Sequence, residues 1–210
     1  TRAFLDRPLT EAQLRDILDV ARWSPSGGNC QPWHVWALAG ASMARFRAEL
    51  GELMKTDPLG EPSEFPMYPV GIKEPYRTRR FECGEDLYRS IDIPRDDKPA
   101  RLTQLAKNFD FFGATAAFFF AIDRQMGQGQ WAHLGMFMQS IALVAEAKGL
   151  ATCMQESWMT RHTFVRRFFA IPDELQIYCG MAVGYADTAH PINSWRTTRA
   201  SVDEIATFHS

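Results

Sequence analysis

Ser24-Pro25-Ser26-Gly27-Gly28-Asn29-Cys30-Gln31-Pro32-Trp33-His34-Val35-Trp36-Ala37-Leu38 takes the chain out of one regular structure and straight into another. Upstream, Thr10-Glu11-Ala12-Gln13 reads as a capping box. The helix it opens carries Leu14, Ile17, Leu18 and Ala21 on one face and ends near Trp23. Pro25 forbids its continuation, because the ring clashes with the preceding turn and the residue has no N–H to donate. Gly27 and Gly28 are predicted to adopt positive φ and to bring the backbone close to a ligand. Asn29 and Gln31 add amides that both donate and accept. The run from Trp33 to Leu38 is predicted to be a strand. From its residues alone the stretch is either a tight helix-to-strand connection or the floor of a site for a flat polar ligand.

The pattern continues outward. Ser42 is predicted to cap a helix with Met43, Phe46, Leu50 and Leu53 turned inward. Residues 56–99 hold seven of the twelve prolines and the cluster Arg77-Thr78-Arg79-Arg80. They read as an excursion from the core with a short helix or two between 75 and 91, too poor in apolar residues for a core of their own. A helix is expected over 97–112, with Leu102, Leu105, Ala106 and Phe109 on its apolar face. Thr115-Ala116-Ala117-Phe118-Phe119-Phe120-Ala121-Ile122 reads as a central strand covered on both faces. Residues 131–148 form a helix that is apolar around most of its circumference and ends at Gly149. A short segment at 150–155, a helix at 160–169 capped by Thr160, a strand at 178–185 and a short helix near 202–208 complete the reading. The class is α+β, a small mixed sheet surrounded by helices in a single domain over residues 1–210.

Composition narrows the function. The net charge of −2 and the pI near 6.2 provide no basic field for nucleic acid. No apolar run is long enough to cross a membrane. Cys30, Cys83, Cys153 and Cys179 lie far apart without metal-ligand spacing, and are read as reduced, mostly buried thiols of a cytoplasmic protein. Six Trp and fifteen Phe suit a large core, a stacking site or a subunit interface. No nucleophile elbow, P-loop, HExxH or GxGxxG occurs, and the five histidines are scattered. A chain without such residues suits chemistry carried by a bound cofactor rather than by side chains.

The helix ending in Ser-Pro-Ser, followed by Asn-x-Gln-Pro-Trp entering a strand, resembles the nitroreductase family of FMN-dependent oxidoreductases. Thr1-Arg2-Ala3-Phe4 is similar to the tail of that family's opening Arg-Arg-Ser-x-Arg-x-Phe motif, with three motif residues expected before Thr1. The resemblance implies an interlocked homodimer with FMN at the subunit interface. It places Arg2 at the flavin pyrimidine, with Asn108 as a further pyrimidine candidate. It brings Pro25, Ser26, Gly27 and Asn29 to the flavin from the partner subunit. Gln155, Glu156 and Ser157 match the segment whose main chain meets flavin N5 and O4, although Met154 and Ser157 replace the frequent Pro and Gly. Arg196 and Arg199 match the basic residues that bind the FMN phosphate.

Hydride from NADH or NADPH is then passed, in ping-pong order, to a nitroaromatic or quinone acceptor stacked in the same pocket. No side chain is assigned as general acid. Tyr76, Arg77, Arg80 and Tyr88 in the excursion resemble the lid of members that reduce nitroaromatics; the same residues also suit an arm that embraces a dimer partner. Other flavin chemistry (reductive dehalogenation, flavin fragmentation, dehydrogenation) and a non-enzymatic flavin-binding dimer remain as alternatives.

Overall fold

The computed structural model describes residues 1–209. Its centre is the predicted apolar strand, β2 (Ala116–Asp123), in which every residue through Ile122 is buried. Its neighbours are β1 (His34–Ala39) on one side and β4 (Leu175–Gly184) on the other, with β3 (Ala151–Gln155) beyond β4, giving the order β1-β2-β4-β3. All three pairings are antiparallel, which corrects the expected mixed sheet. The physical reason lies in the crossover. α5 (Gln128–Ala147) returns the chain so that β2 and β3 point the same way, but β4 slots between them and runs against both. Parallel strands are present and never bonded to each other.

Alternation along β2 builds two cores. Ala117, Phe119 and Ala121 face one layer with α2 (Gly40–Thr56), α6 (His162–Phe169) and Trp158. Ala116, Phe118, Phe120 and Ile122 face the other, made by α1 (Glu11–Ala21) and α5. Phe46 is the hub of the first layer, with its ring centroid 5.0 Å from Phe164, 5.4 Å from Phe119 and 5.5 Å from Trp158. Each such aromatic pair adds about 0.5–1.5 kcal/mol beyond its burial.

Most predicted elements appear, with instructive differences at their ends. The Thr10 capping box is present. α2 starts at Gly40, whose φ of 52° turns the chain directly from strand to helix, so Ser42 sits inside the first turn and hydrogen-bonds Ala39 rather than capping. α4 (Lys98–Ala106) is shorter than expected, because the chain tightens into a 3-10 turn over Lys107–Gly113. There Phe111 and Phe112 take φ of 52° and 55° and drive both rings into the core. Leu102 and Leu105 are exposed instead, and Gln104 is the buried residue of α4. α6 begins at His162 with Arg161 at its cap; Thr160 belongs to the preceding 3-10 turn, where its hydroxyl donates to Ser157 O at 2.9 Å. Cys153 and Cys179 are buried as expected, but Cys30 and Cys83 are exposed.

Within the excursion, α3 (Tyr76–Arg89) buries no residue. It is held by ionic contacts: Arg101 grips Glu85 through two hydrogen bonds of 2.6 and 3.0 Å and lies over the Tyr88 ring. Arg79 reaches Glu204 at 3.1 Å. With no buried residue of its own, α3 is the least firmly held long helix. Two short helices, α7 (Pro191–Ser194) and α8 (Val202–Ile205), lie in the C-terminal tail.

Gly180 of β4 is required by space. A Cβ there would lie 2.8 Å from Trp158 Nε1, closer still to Cδ1, and 3.1 Å from Cγ. Gly180→Ala is expected to displace the fully buried Trp158 and cost about 1–3 kcal/mol. Thermal denaturation should show a Tm several degrees lower; an unchanged Tm would mean that Trp158 has room to move.

Candidate functional site

Residues from the two ends of the chain and from its middle meet beside β3, an edge strand of the sheet. The N-terminal segment is laid between the 107–113 turn and the stretch after β4: Phe4 N donates to Phe112 O at 3.2 Å, Leu5 N to Tyr185 O at 2.8 Å and Asp187 N to Ala3 O at 3.0 Å. Arg2 N donates to Asn193 Oδ1 at 2.8 Å, which fixes the backbone and leaves the guanidinium without an acceptor among the described residues. Burial pushes the Cys153 thiol of β3 up, opposed by the nearby positive charge of Arg2.

Arg2 borders two grooves. The larger, about 1170 Å³, is enclosed by α3, the end of α4 and the C-terminal tail, and brings together Arg2, Arg80, Tyr88, Asn108 and Arg199. The second, about 770 Å³, joins Arg2 to Arg196, Asn193 and the backbone of Gly149–Thr152. Arg199 Nη1 turns back onto Thr197 and Thr198 of its own segment. Arg77 and Arg80 share a shallow depression with the 69–74 loop, while Tyr76 is largely exposed outside the large groove. Tyr68, Gln104, Thr197 and Thr198 also line the large groove and were not singled out from sequence. Only Gln104 carried a signal, four residues before Asn108 on the same helical face.

Asn108 is held from both sides. Its Nδ2 donates to Leu105 O at 2.9 Å, and Gln155 Nε2 donates to its main-chain carbonyl at 2.7 Å. Gln155 is buried, and its Oε1 accepts from Trp158 Nε1 at 3.4 Å. Its side chain is therefore occupied by structure, leaving the main chain as what Gln155 can present to a ligand. At the end of β3, Ser157 Oγ is buried without a hydrogen-bond partner among the described residues. Burial raises the pKa of the Glu156 carboxyl above the ordinary carboxylate range.

The Pro25–Asn29 loop lies elsewhere, against α5. Ser24 Oγ donates to Ser140 Oγ at 2.8 Å, and Gly27 N donates to His133 Nδ1 at 3.4 Å. The expected left-handed backbone occurs at Gly28, Asn29 and Gln31 rather than at Gly27. Gly27 lies close to α5, since a Cβ there would lie 3.1 Å from His133 Cε1 and the His133 ring would have to give by a few tenths of an ångström. Ser26 Oγ accepts from Gln31 N at 2.9 Å and closes the loop. Pro25, Gly27 and Asn29 are exposed and line neither groove of this chain.

Glu156 gives a pH test. Its folded-state pKa lies above its unfolded value, so ionisation costs the folded state more. Stability is lost as pH rises from the unfolded carboxylate value through the raised folded one. Melting curves across this window should show Glu156→Gln gaining on the parent as pH rises, then holding a constant lead above it. Parallel curves throughout would contradict the cost of burial.

The sequence pattern of the Nitroreductase family matches residues 1–185. The chain is 33% identical over 207 residues to nitrobenzene nitroreductase of Ectopseudomonas oleovorans, covering 99% of this chain and 91% of that protein. It is 35% identical over 198 residues to 4-nitrobenzoate reductase of Pseudomonas putida, covering 94% and 86%. The crystal structure of the FMN and NADPH-dependent nitroreductase NfnB from Sphigopyxis sp. strain HMH superposes with a TM-score of 0.94 at 37% identity, covering 100% of this chain and 94% of that one. With its sequence matched over most of its length and its fold over all of it, this chain belongs to the nitroreductase family.

Proposed function

We propose that this protein is a cytoplasmic, homodimeric FMN-dependent oxidoreductase that takes hydride from NADPH or NADH and reduces nitroaromatic or quinone-type acceptors. The observation that carries the reading is the convergence of Arg2, Asn108 and Arg199 on one groove from three distant parts of the chain. Such a donor set fits a ligand with a flat polar ring and a phosphate. An Arg fork donates two parallel bonds to phosphate, and an amide both donates and accepts along a ring edge. The orphaned Ser157 Oγ at the end of β3 adds a buried polar group with unmet hydrogen-bonding capacity. When bound, FMN supplies the centre that accepts and returns hydride.

The roles of the chain's own residues follow from their surroundings. Arg2 places a fixed positive charge where negative charge develops in a partly dry site. Arg199, with Arg196 beside the second groove, holds the phosphate. The main chain of Gln155, Glu156 and Ser157 offers donors fixed in place by the Gln155–Asn108 and Gln155–Trp158 hydrogen bonds. Tyr68, Tyr88, Leu87 and Leu105 give the acceptor apolar and aromatic walls, so shape decides more than individual hydrogen bonds. Tyr76 and Arg77 stand at the outer part of the lid.

The Pro25–Asn29 loop lies away from both grooves, which suits its delivery to the site of a second copy. The exposed Val20, Trp23, Met136 and Leu143 on and beside α1 and α5 supply apolar surface for that contact.

The purified protein is expected to be yellow, to bleach with anaerobic NADPH and to regain colour with nitrobenzene. A colourless protein that FMN cannot reconstitute would overturn the reading. Arg199→Ala should weaken FMN binding by roughly tenfold or more, measured as a dissociation constant by flavin fluorescence. Leu143→Glu should shift the dimer towards monomer in light scattering and release flavin in parallel; a monomer that retains its flavin would exclude a shared site.

A further inference from the structure

The large groove carries one unpaired positive group that the cofactor reading does not use. Four guanidinium groups line it, from Arg2, Arg79, Arg80 and Arg199, against the carboxylates of Glu82 and Glu204. Arg79 is paired with Glu204. Arg199 is turned onto Thr197 and Thr198 and is assigned to phosphate, and Arg2 is shared with the second groove and assigned to the flavin. Arg80 differs from all three. Its guanidinium carbon lies 3.9 Å from the centroid of the Tyr68 ring, and it makes no hydrogen bond or ion pair among the described residues.

That geometry preorganises a receptor. Stacking on an aromatic face holds the guanidinium plane while leaving its in-plane N–H donors free. Those donors match the two oxygens of a carboxylate or phosphate. Tyr88, Leu87, Leu105 and Ile205 supply apolar wall on the same groove, so the ligand that suits it combines a flat apolar body with an anionic edge. The Arg79–Glu204 pair ties α3 to α8 beside the groove. Glu82 opposes the anion from the same helix, yet the guanidinium groups outnumber the carboxylates around the lining.

We propose that Arg80, seated on Tyr68, is the specificity-determining residue for an anionic substituent on the ligand that fills this groove. That substituent is either the carboxylate of a nitroaromatic acid or the extra phosphate that distinguishes NADPH from NADH. The proposal rests on the oxidoreductase reading for the identity of the ligand.

The test compares the parent with Arg80→Gln, Arg80→Lys and Tyr68→Leu. One arm measures kcat/KM for 4-nitrobenzoate relative to nitrobenzene, with NADH as donor. The other measures NADPH relative to NADH, with nitrobenzene as acceptor. Arg80→Gln is expected to lower one of these ratios by about tenfold or more, the affected arm identifying the source of the anion. Arg80→Lys, which keeps the charge without the fork, should recover part of the loss, and Tyr68→Leu should lose part of the selectivity. Calorimetric titration of the oxidised protein with 4-nitrobenzoate against nitrobenzene, and separately with NADP⁺ against NAD⁺, reads the same contact without turnover. Both ratios and both calorimetric preferences remaining within twofold of the parent in Arg80→Gln would overturn the proposal. A protein that holds no flavin but still prefers an anionic ligand through Arg80 would overturn the oxidoreductase reading alone.

Discussion

β2 has no face that tolerates water, and the rest of the structure answers to that. Ala116 through Ile122 are buried on both sides, so a helical layer must cover each face of the sheet. Covering one face of a strand with Phe, Ala and Ile contributes roughly 25 cal/mol for each Å² of apolar surface removed from water. Covering both leaves no face of the sheet open for a ligand. Polar, ligand-capable groups are thereby pushed to the β3 edge of the sheet, where the N-terminal segment, the 107–113 turn and the C-terminal tail meet.

The strained turn at 107–113 links that core to the groove. Two consecutive left-handed phenylalanines are costly backbone, sustained because Phe111 stacks on Trp158 at 4.7 Å and both rings are buried. The same turn supplies Phe112 O to the backbone of Phe4 and places Asn108 where Gln155 holds it. Trp158 closes the circle by donating to Gln155. One packed aromatic cluster thus sets the position of Arg2, Asn108 and the end of β3 together. Local strain and binding geometry arise from the same contacts. The lid helix α3 stands apart from this rigidity, since it buries no residue, is held by ion pairs and leaves Arg80 free over the groove.

Where periodicity was strong, the sequence was readable. The capping box at Thr10, the inward face of Met43, Phe46 and Leu50, and the apolar run of β2 all appear as expected. Failures fall where tertiary packing overrode a local preference. Leu102 and Leu105 look like core residues, but α4 lies at the edge and turns them outward. Ser42 and Thr160 look like helix caps, but a left-handed Gly40 and a preceding 3-10 turn move the helix starts. Of the candidate site residues, Arg2, Asn108, Arg196 and Arg199 border the paired grooves, whereas the Pro25–Asn29 loop rests on α5 away from both. Tyr68, Thr197 and Thr198 carried no local signal, because a groove wall is defined by what lies opposite it.

By itself the sequence determined the class of the fold, the central strand, the family and the candidate residues. These are written in hydrophobic period, cap chemistry and the order of short motifs, all local along the chain. Only the tertiary structure decided that β4 separates β2 from β3, that Gln155 is occupied by Asn108 and Trp158, and that Arg80 lies on Tyr68 with its donors free. Each depends on which distant segments share a contact. A linear pattern cannot specify that until two covered faces of one strand have forced the chain to close around it.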